Sequence, residues 1–135
     1  MIYLDTNIFV YAFCKNIDNQ SQKIKSQEIL RESIKNSELI LSEIVLYEFA
    51  FVSKKLEENT DVIDNNLKFL SKYEQIASGI SSNILSLMSE TSSYKQSFDI
   101  YHLCFSNHFN CTKFITYDNG FKRFQDLSHA KIEIL

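Results

Sequence analysis

The chain has no proline, no tryptophan and only two glycines in 135 residues. Nothing in it forces a helix to kink, and most turns must be made without glycine, so long helices with few internal breaks are expected. The three cysteines, Cys14, Cys104 and Cys111, are odd in number and form no Cys-x-x-Cys pair. That argues against a disulfide framework and fits a reducing, cytoplasmic setting. No apolar run approaches the roughly 20 residues of a membrane span. Asp5 interrupts the apolar opening with no basic stretch before it, unlike a secretory leader. Linkers, repeats and low-complexity segments are missing too, so residues 1–135 are expected to form a single domain. There is no basic excess either. The chain has 14 Lys and Arg against 17 Asp and Glu, a net charge of −3, and bulk electrostatics does not advertise nucleic-acid binding.

What the sequence does have is short apolar segments alternating with longer helical patterns. Residues 2–4 read as a strand and about 6–14 as a helix. Ile24, Ile29, Leu30 and Ile34 mark a helix within 20–36, with Asp18, Asn19 or Ser21 to cap it. Residues 38–41 read as a second strand. Ser42 is expected to cap a helix whose apolar stripe is Val45, Phe49, Val52 and Leu56. A helix over 61–72 follows, then a third short strand over 74–77, then a helix carrying Ile80, Ile84, Leu87 and Met88. Phe98, Tyr101, Cys104, Phe105 and His108 mark the next helix, capped by Ser97. Residues 113–116 are a strand, 117–120 a turn and 131–134 an edge strand. The alternation predicts an α/β fold with a short, mainly parallel central sheet covered on both faces, in three layers.

Four acids stand out by placement. Asp5 follows the first strand and begins a helix, where capping alone would explain it. Glu48 lies on the flank of an apolar stripe, whereas Glu43 sits in the first turn and complements the helix dipole. Asp99 comes two residues after Ser97, and Asp118 begins an Asp-Asn-Gly turn. Each has an ordinary structural explanation alone. Together they converge, because Asp5 and Asp118 both follow the carboxyl ends of strands, where open α/β sheets place their ligand crevice. Asp99 and Glu48 enter from helices that begin nearby. Four carboxylates in one crevice would repel one another unless a hard cation held them. All-oxygen donors suit Mg²⁺ or Mn²⁺ rather than zinc, and such ions suit phosphodiester hydrolysis by activating water and neutralising developing charge. Setting four of the 17 acids aside leaves 13 against 14 bases, so the acidic balance then disappears.

These segments resemble the PIN domain family. The opening MIYLDTNIFVYAF looks like its first motif, Ser42 to Phe49 carries the second acid in Glu48, Ser97 to Leu103 carries Asp99, and Phe114 to Phe121 carries Asp118. The resemblance spans about residues 2–121 and is nearest to VapC-like proteins. It implies a Mg²⁺-dependent endoribonuclease acting on RNA, most often the toxin of a toxin–antitoxin pair, dimeric and inhibited by a small antitoxin. On that resemblance Asp5 and Asp99 are the principal metal ligands, with Glu48 and Asp118 completing the site. Many relatives carry a further acid where this chain has Gly120. That departure keeps open a PIN-like module that binds RNA or a protein without catalysis. A phosphatase of the haloacid-dehalogenase type would need a second Asp at position 7, which is Asn7 here.

Secondary candidates surround the acids. Thr6, Asn7, Thr116, Lys122 and Arg123 are expected near substrate, although a strand-end threonine and a solvated basic pair are the ordinary readings of the last three. His102, three residues after Asp99, is expected to be partly buried and hydrogen-bonded, or to orient a carboxylate. Lys54 and Lys55 are read as flanking a helix. The 18 Phe and Tyr residues are read mainly as core, with base stacking as the less favoured use.

Overall fold

The computed structural model describes residues 1–90 and 97–135, with only the backbone of Ser97. The elements run β1 (Ile2–Leu4), α1 (Thr6–Phe13), α2 (Gln20–Lys35), β2 (Leu39–Ile40), α3 (Glu43–Lys55), α4 (Thr60–Leu70), a 3-10 turn (Ser71–Tyr73), α5 (Ile80–Glu90), α6 (Ser97–His108), β3 (Lys113–Thr116), a 3-10 segment (Asn119–Leu127) and β4 (Lys131–Ile134). The strands form one parallel sheet in the order β2-β1-β3-β4. Helices cover both faces, giving the three-layer α/β/α architecture. Helix α1 packs against α2 and α3, and α5 packs against α6.

This strand order is what creates a site. From β1 the chain crosses to β2 on one side, and later elements return to β3 on the other. The direction of winding therefore reverses between β1 and β3, and such a switch point leaves a crevice beyond the carboxyl ends of the strands. The register sets Leu4 beside Ile115, so the residues that follow each strand emerge side by side.

The core explains why the sheet forms with such short strands. Tyr3, Leu4, Phe114 and Ile115 are buried, as expected for a parallel sheet covered on both faces. The ring of Tyr3 lies 5.3 Å from Phe105 and 5.2 Å from Phe114, and Phe114 lies 4.7 Å from Phe121. Truncating one such buried ring to alanine costs about 3–5 kcal/mol.

Several local expectations are corrected. Residues 74–77 form no strand: one parallel bridge joins Leu41 to Glu74, and Ile76 is exposed. Four residues with one apolar side chain turned to water bury too little to hold a strand. Ser42 does occupy the N-cap position of α3, but its side chain makes no capping bond. Asn19 is the cap of α2, accepting from Gln22 N–H. The capping expected of Ser97 lies outside the described residues. Phe98 and His108 face solvent, and the buried side of α6 is Ile100, His102, Leu103, Cys104 and Phe105. All three cysteines are buried, and burial pushes the Cys104 thiol up to about 11. The shortage of glycine has a visible outcome. The left-handed residues just beyond α2, α3 and α6 are Ser37, Glu57 and Asn110, where glycine is the usual choice.

Candidate active site

Asp5 is the first residue after β1 and the N-cap of α1. Its Oδ1 accepts from Thr6 N–H at 2.7 Å. Its Oδ2 accepts from Asn7 Nδ2 at 2.9 Å and from Thr116 Oγ1 at 2.6 Å. The cap and the crevice carboxylate are thus the same group. Three bonds hold the side chain rigidly, yet one lone pair on Oδ1 stays open to a ligand. Asp5 is 7% exposed, and burial is the main reason its carboxyl is held above the usual range, with the charge of Glu48 adding to it and His102 opposing it.

Glu48 enters from α3. Its Oε1 accepts from Thr6 Oγ1 at 3.2 Å and from His102 Nε2 at 2.7 Å. His102 is buried, and its Nδ1 lies 2.6 Å from the hydroxyl of Tyr3, which lies 3.0 Å from Ser42 Oγ. A continuous chain thus runs from Ser42 through Tyr3 and His102 to Glu48. Nε2 must carry a proton to meet the carboxylate. Burial opposes a positive imidazole, but the hydrogen bond to Glu48 and the charges of Asp5, Glu48 and Asp99 together outweigh it, and the His102 pKa is raised.

Asp99 lies in the first turn of α6 and Asp118 opens the 3-10 segment after β3. Burial raises the Asp99 pKa, and the nearby charges of Asp118 and Asp5 raise it further. Arg123 Nη2 approaches Asp99 Oδ2 at 3.8 Å while its guanidinium sits 4.7 Å from the Phe124 ring centroid. Asp118 Oδ1 accepts from Gly120 N–H at 2.7 Å. A Cβ at position 120 would come within 3.0 Å of that same oxygen, so the glycine lets the backbone close onto the carboxylate.

All four acids line one cleft of about 420 Å³, with Thr6, Asn7 and His102 among them and Val10, Tyr11, Ile17, Val52, Leu56 and Phe121 as its apolar wall. A larger groove of about 470 Å³ lies between α5, α6 and the turn after residue 125, and it contains His108 and His129 but none of these acids. We take the smaller cleft as the site, because titratable groups that perturb one another gather there. Among the described residues, no three of His, Cys, Asp and Glu are drawn tightly enough together to cage a cation. An ion that keeps much of its water needs only one or two direct carboxylates.

The secondary candidates fall into two groups. Thr6 and Thr116 are buried, and their hydroxyls face Glu48 and Asp5 rather than solvent. Asn7 donates to Asp5 and Thr116 and accepts from Tyr117 N–H. These three orient carboxylates. Lys122 and Arg123 are exposed and neither lines the cleft, although Arg123 reaches Asp99, which does. Sequence reasoning read Tyr3 only as strand and Ser42 only as a helix cap. Tyr3 meets Ser42 and His102, both far along the chain from it, so no local spacing signals the connection.

The chain matches the family model of the PIN domain over residues 2–127. It belongs to the PIN domain family. No curated protein matched it. PIN domains are generally nucleases and typically use divalent metals. No helix among the described residues is long and apolar enough to cross a membrane.

Proposed function

We propose that the chain is a Mg²⁺- or Mn²⁺-dependent endoribonuclease, the toxin of a toxin–antitoxin pair, and that residues 1–135 act as one PIN domain. A small antitoxin, a second copy of the chain and a cytoplasmic setting belong to the same reading. The observation that carries it is the convergence of Asp5, Glu48, Asp99 and Asp118, from four separate elements, on one cleft at the sheet's switch point. The donor set fits a hard cation: it is all carboxylate oxygen, and burial and mutual repulsion raise the Asp5 and Asp99 pKa values. Asp5 and Asp99 would hold the ion, with Glu48 and Asp118 completing the site directly or through water. When bound, it supplies positive charge to the phosphate oxygens and acidity to a coordinated water.

The protein's own part is orientation. Thr6, Asn7 and Thr116 fix Asp5, His102 and Thr6 fix Glu48, and Gly120 N–H fixes Asp118. Pre-set carboxylates spare the reaction the cost of reorganising them. Arg123, drawn beside Asp99, is positioned to meet a phosphate. Hydrolysis by in-line attack of water would leave a 5′-phosphate and a 3′-hydroxyl. Asp5→Asn is expected to abolish Mg²⁺-dependent RNA cleavage while circular dichroism shows an intact fold; undiminished cleavage would sink the assignment. The competing reading, a binding module without catalysis, draws on Gly120 and on the open spacing of the acids. Calorimetric titration with Mn²⁺ separates the two, since no binding at millimolar metal favours the inert module.

A further inference from the structure

Helix α3 turns its stripe of Val45 and Phe49 into the core and sets a second pair of aromatic rings on its outer side. Tyr47 is 60% and Phe51 72% exposed, and Phe98 at the start of α6 is 60% exposed. The three rings do not stand apart: with Ile44 and Glu48 they line one shallow, almost wholly apolar hollow of about 310 Å³. Glu48 also lines the acidic cleft, so hollow and cleft share a wall. An exposed apolar patch of this kind marks a contact site.

We infer that this hollow is a stacking ledge for one or two unpaired bases of single-stranded RNA lying next to the phosphate in the cleft. The inference rests on the ribonuclease reading and adds to it a surface, outside the acidic cleft, that would hold the substrate. Flat faces beside a catalytic carboxylate suit bases, because every base has a π-face and stacking needs no sequence match. Beyond the hollow the helix turns basic: Lys54 and Lys55 lie three and four residues past Phe51, are exposed, and fit a nucleic-acid backbone leading away from the acids. The acids lie at the cleft end, with Glu48 in the shared wall and Glu43 and Glu74 near Tyr47; Glu43 accepts the Tyr47 hydroxyl and thereby holds that ring in place. A duplex, whose bases are already stacked, gains nothing from such a ledge. A second copy of the chain is a poorer occupant. About two thirds of three rings, each of roughly 200 Å², amounts to roughly 400 Å², half of the ~800 Å² that each partner of a stable pair covers.

The test uses the full chain with Asp5→Asn, so that RNA is not consumed, in Mg²⁺ buffer. Fluorescence anisotropy gives Kd for a labelled twelve-nucleotide single strand and for the same sequence as a duplex. Phe51→Ala and Phe98→Ala are each expected to weaken single-strand binding by at least about fivefold, the low end of stacking on one ring. Phe51→Trp should restore it, and duplex affinity should not move. Sedimentation velocity should give the same oligomeric state for every variant. The inference is overturned if no single-strand binding is measurable, if ring removal leaves Kd within twofold, or if the alanine variants break up a dimer and RNA affinity merely follows. The two readings fail separately. Ring-dependent binding by a chain that, without Asp5→Asn, never cleaves RNA leaves the ledge and removes the nuclease; cleavage with KM unchanged in the ring variants does the reverse.

Discussion

Replacing Tyr3 by phenylalanine removes one oxygen atom from the middle of the buried chain and nothing else. The ring keeps its contacts with Phe105 and Phe114, so no cavity of consequence opens. What is lost is the hydroxyl between Ser42 Oγ and His102 Nδ1. Ser42 and Tyr3 are fully buried and His102 is 2% exposed, so no water stands ready to replace the missing partner. Leaving one buried polar group unpaired costs about 1–3 kcal/mol, and here two are affected. We expect a destabilisation of about 2–4 kcal/mol, a substantial part of the roughly 5–15 kcal/mol that holds a domain together. Urea denaturation, with an unchanged m-value, measures it. The exposed Tyr47→Phe is the control, expected within about 0.5 kcal/mol of the parent. Ser42→Ala adds a second check: it should cost less in the Tyr3→Phe background than alone, because its partner is already gone. A loss under about 0.5 kcal/mol for Tyr3→Phe, or strict additivity with Ser42→Ala, would refute the view that these groups depend on one another.

Other outcomes follow from the same structure. Asp5, Asp99 and His102 all have raised pKa values, so the folded chain holds protons that the unfolded chain has released. Their stabilising effect is complete below the ordinary values, 3.8 for the carboxyls and 6.5 for the histidine, and is lost as pH rises through the raised ones. In chelator, the urea midpoint of Asp99→Asn should therefore gain on the parent between pH 4 and pH 8; equal slopes would contradict this. Glu58 is buried and accepts from the backbone N–H groups of Lys15 and Asn16. Glu58→Ala should cost about 1–2 kcal/mol and speed amide exchange at Lys15 and Asn16, with unchanged exchange as the refuting result. Gly120→Ala brings a methyl group to 3.0 Å from Asp118 Oδ1 and should weaken Mn²⁺ binding measured by calorimetry. Unaltered affinity would mean that Asp118 is not a ligand.

The parts of this protein that local periodicity governs could be read in advance. Apolar runs gave β1 and β3 and the stripe of α3, and the acids that follow strands could be seen to converge because strand ends in an open α/β sheet share one edge. Glu48 was legible from its angular position beside Phe49. What local patterns could not convey is how side chains far apart in sequence divide the polar bonds. Ser42 read as a helix cap, yet it bonds to Tyr3 across the interior. Thr116 read as a possible substrate contact, yet its hydroxyl turns to Asp5. Phe98 also misled: its spacing reads with the apolar side of α6, and only the packing of that helix reveals that it points outward.

The placement of the acids also sets a moment of onset. Asp5 leaves the ribosome first, but β1, which carries it, lacks its central neighbour until β3 is made, and Asp118 follows only after β3. A growing chain therefore presents isolated carboxylates and no cleft. On the proposed function, the chain stays inert beside the RNA that encodes it until β3 and Asp118 have been made and joined to β1.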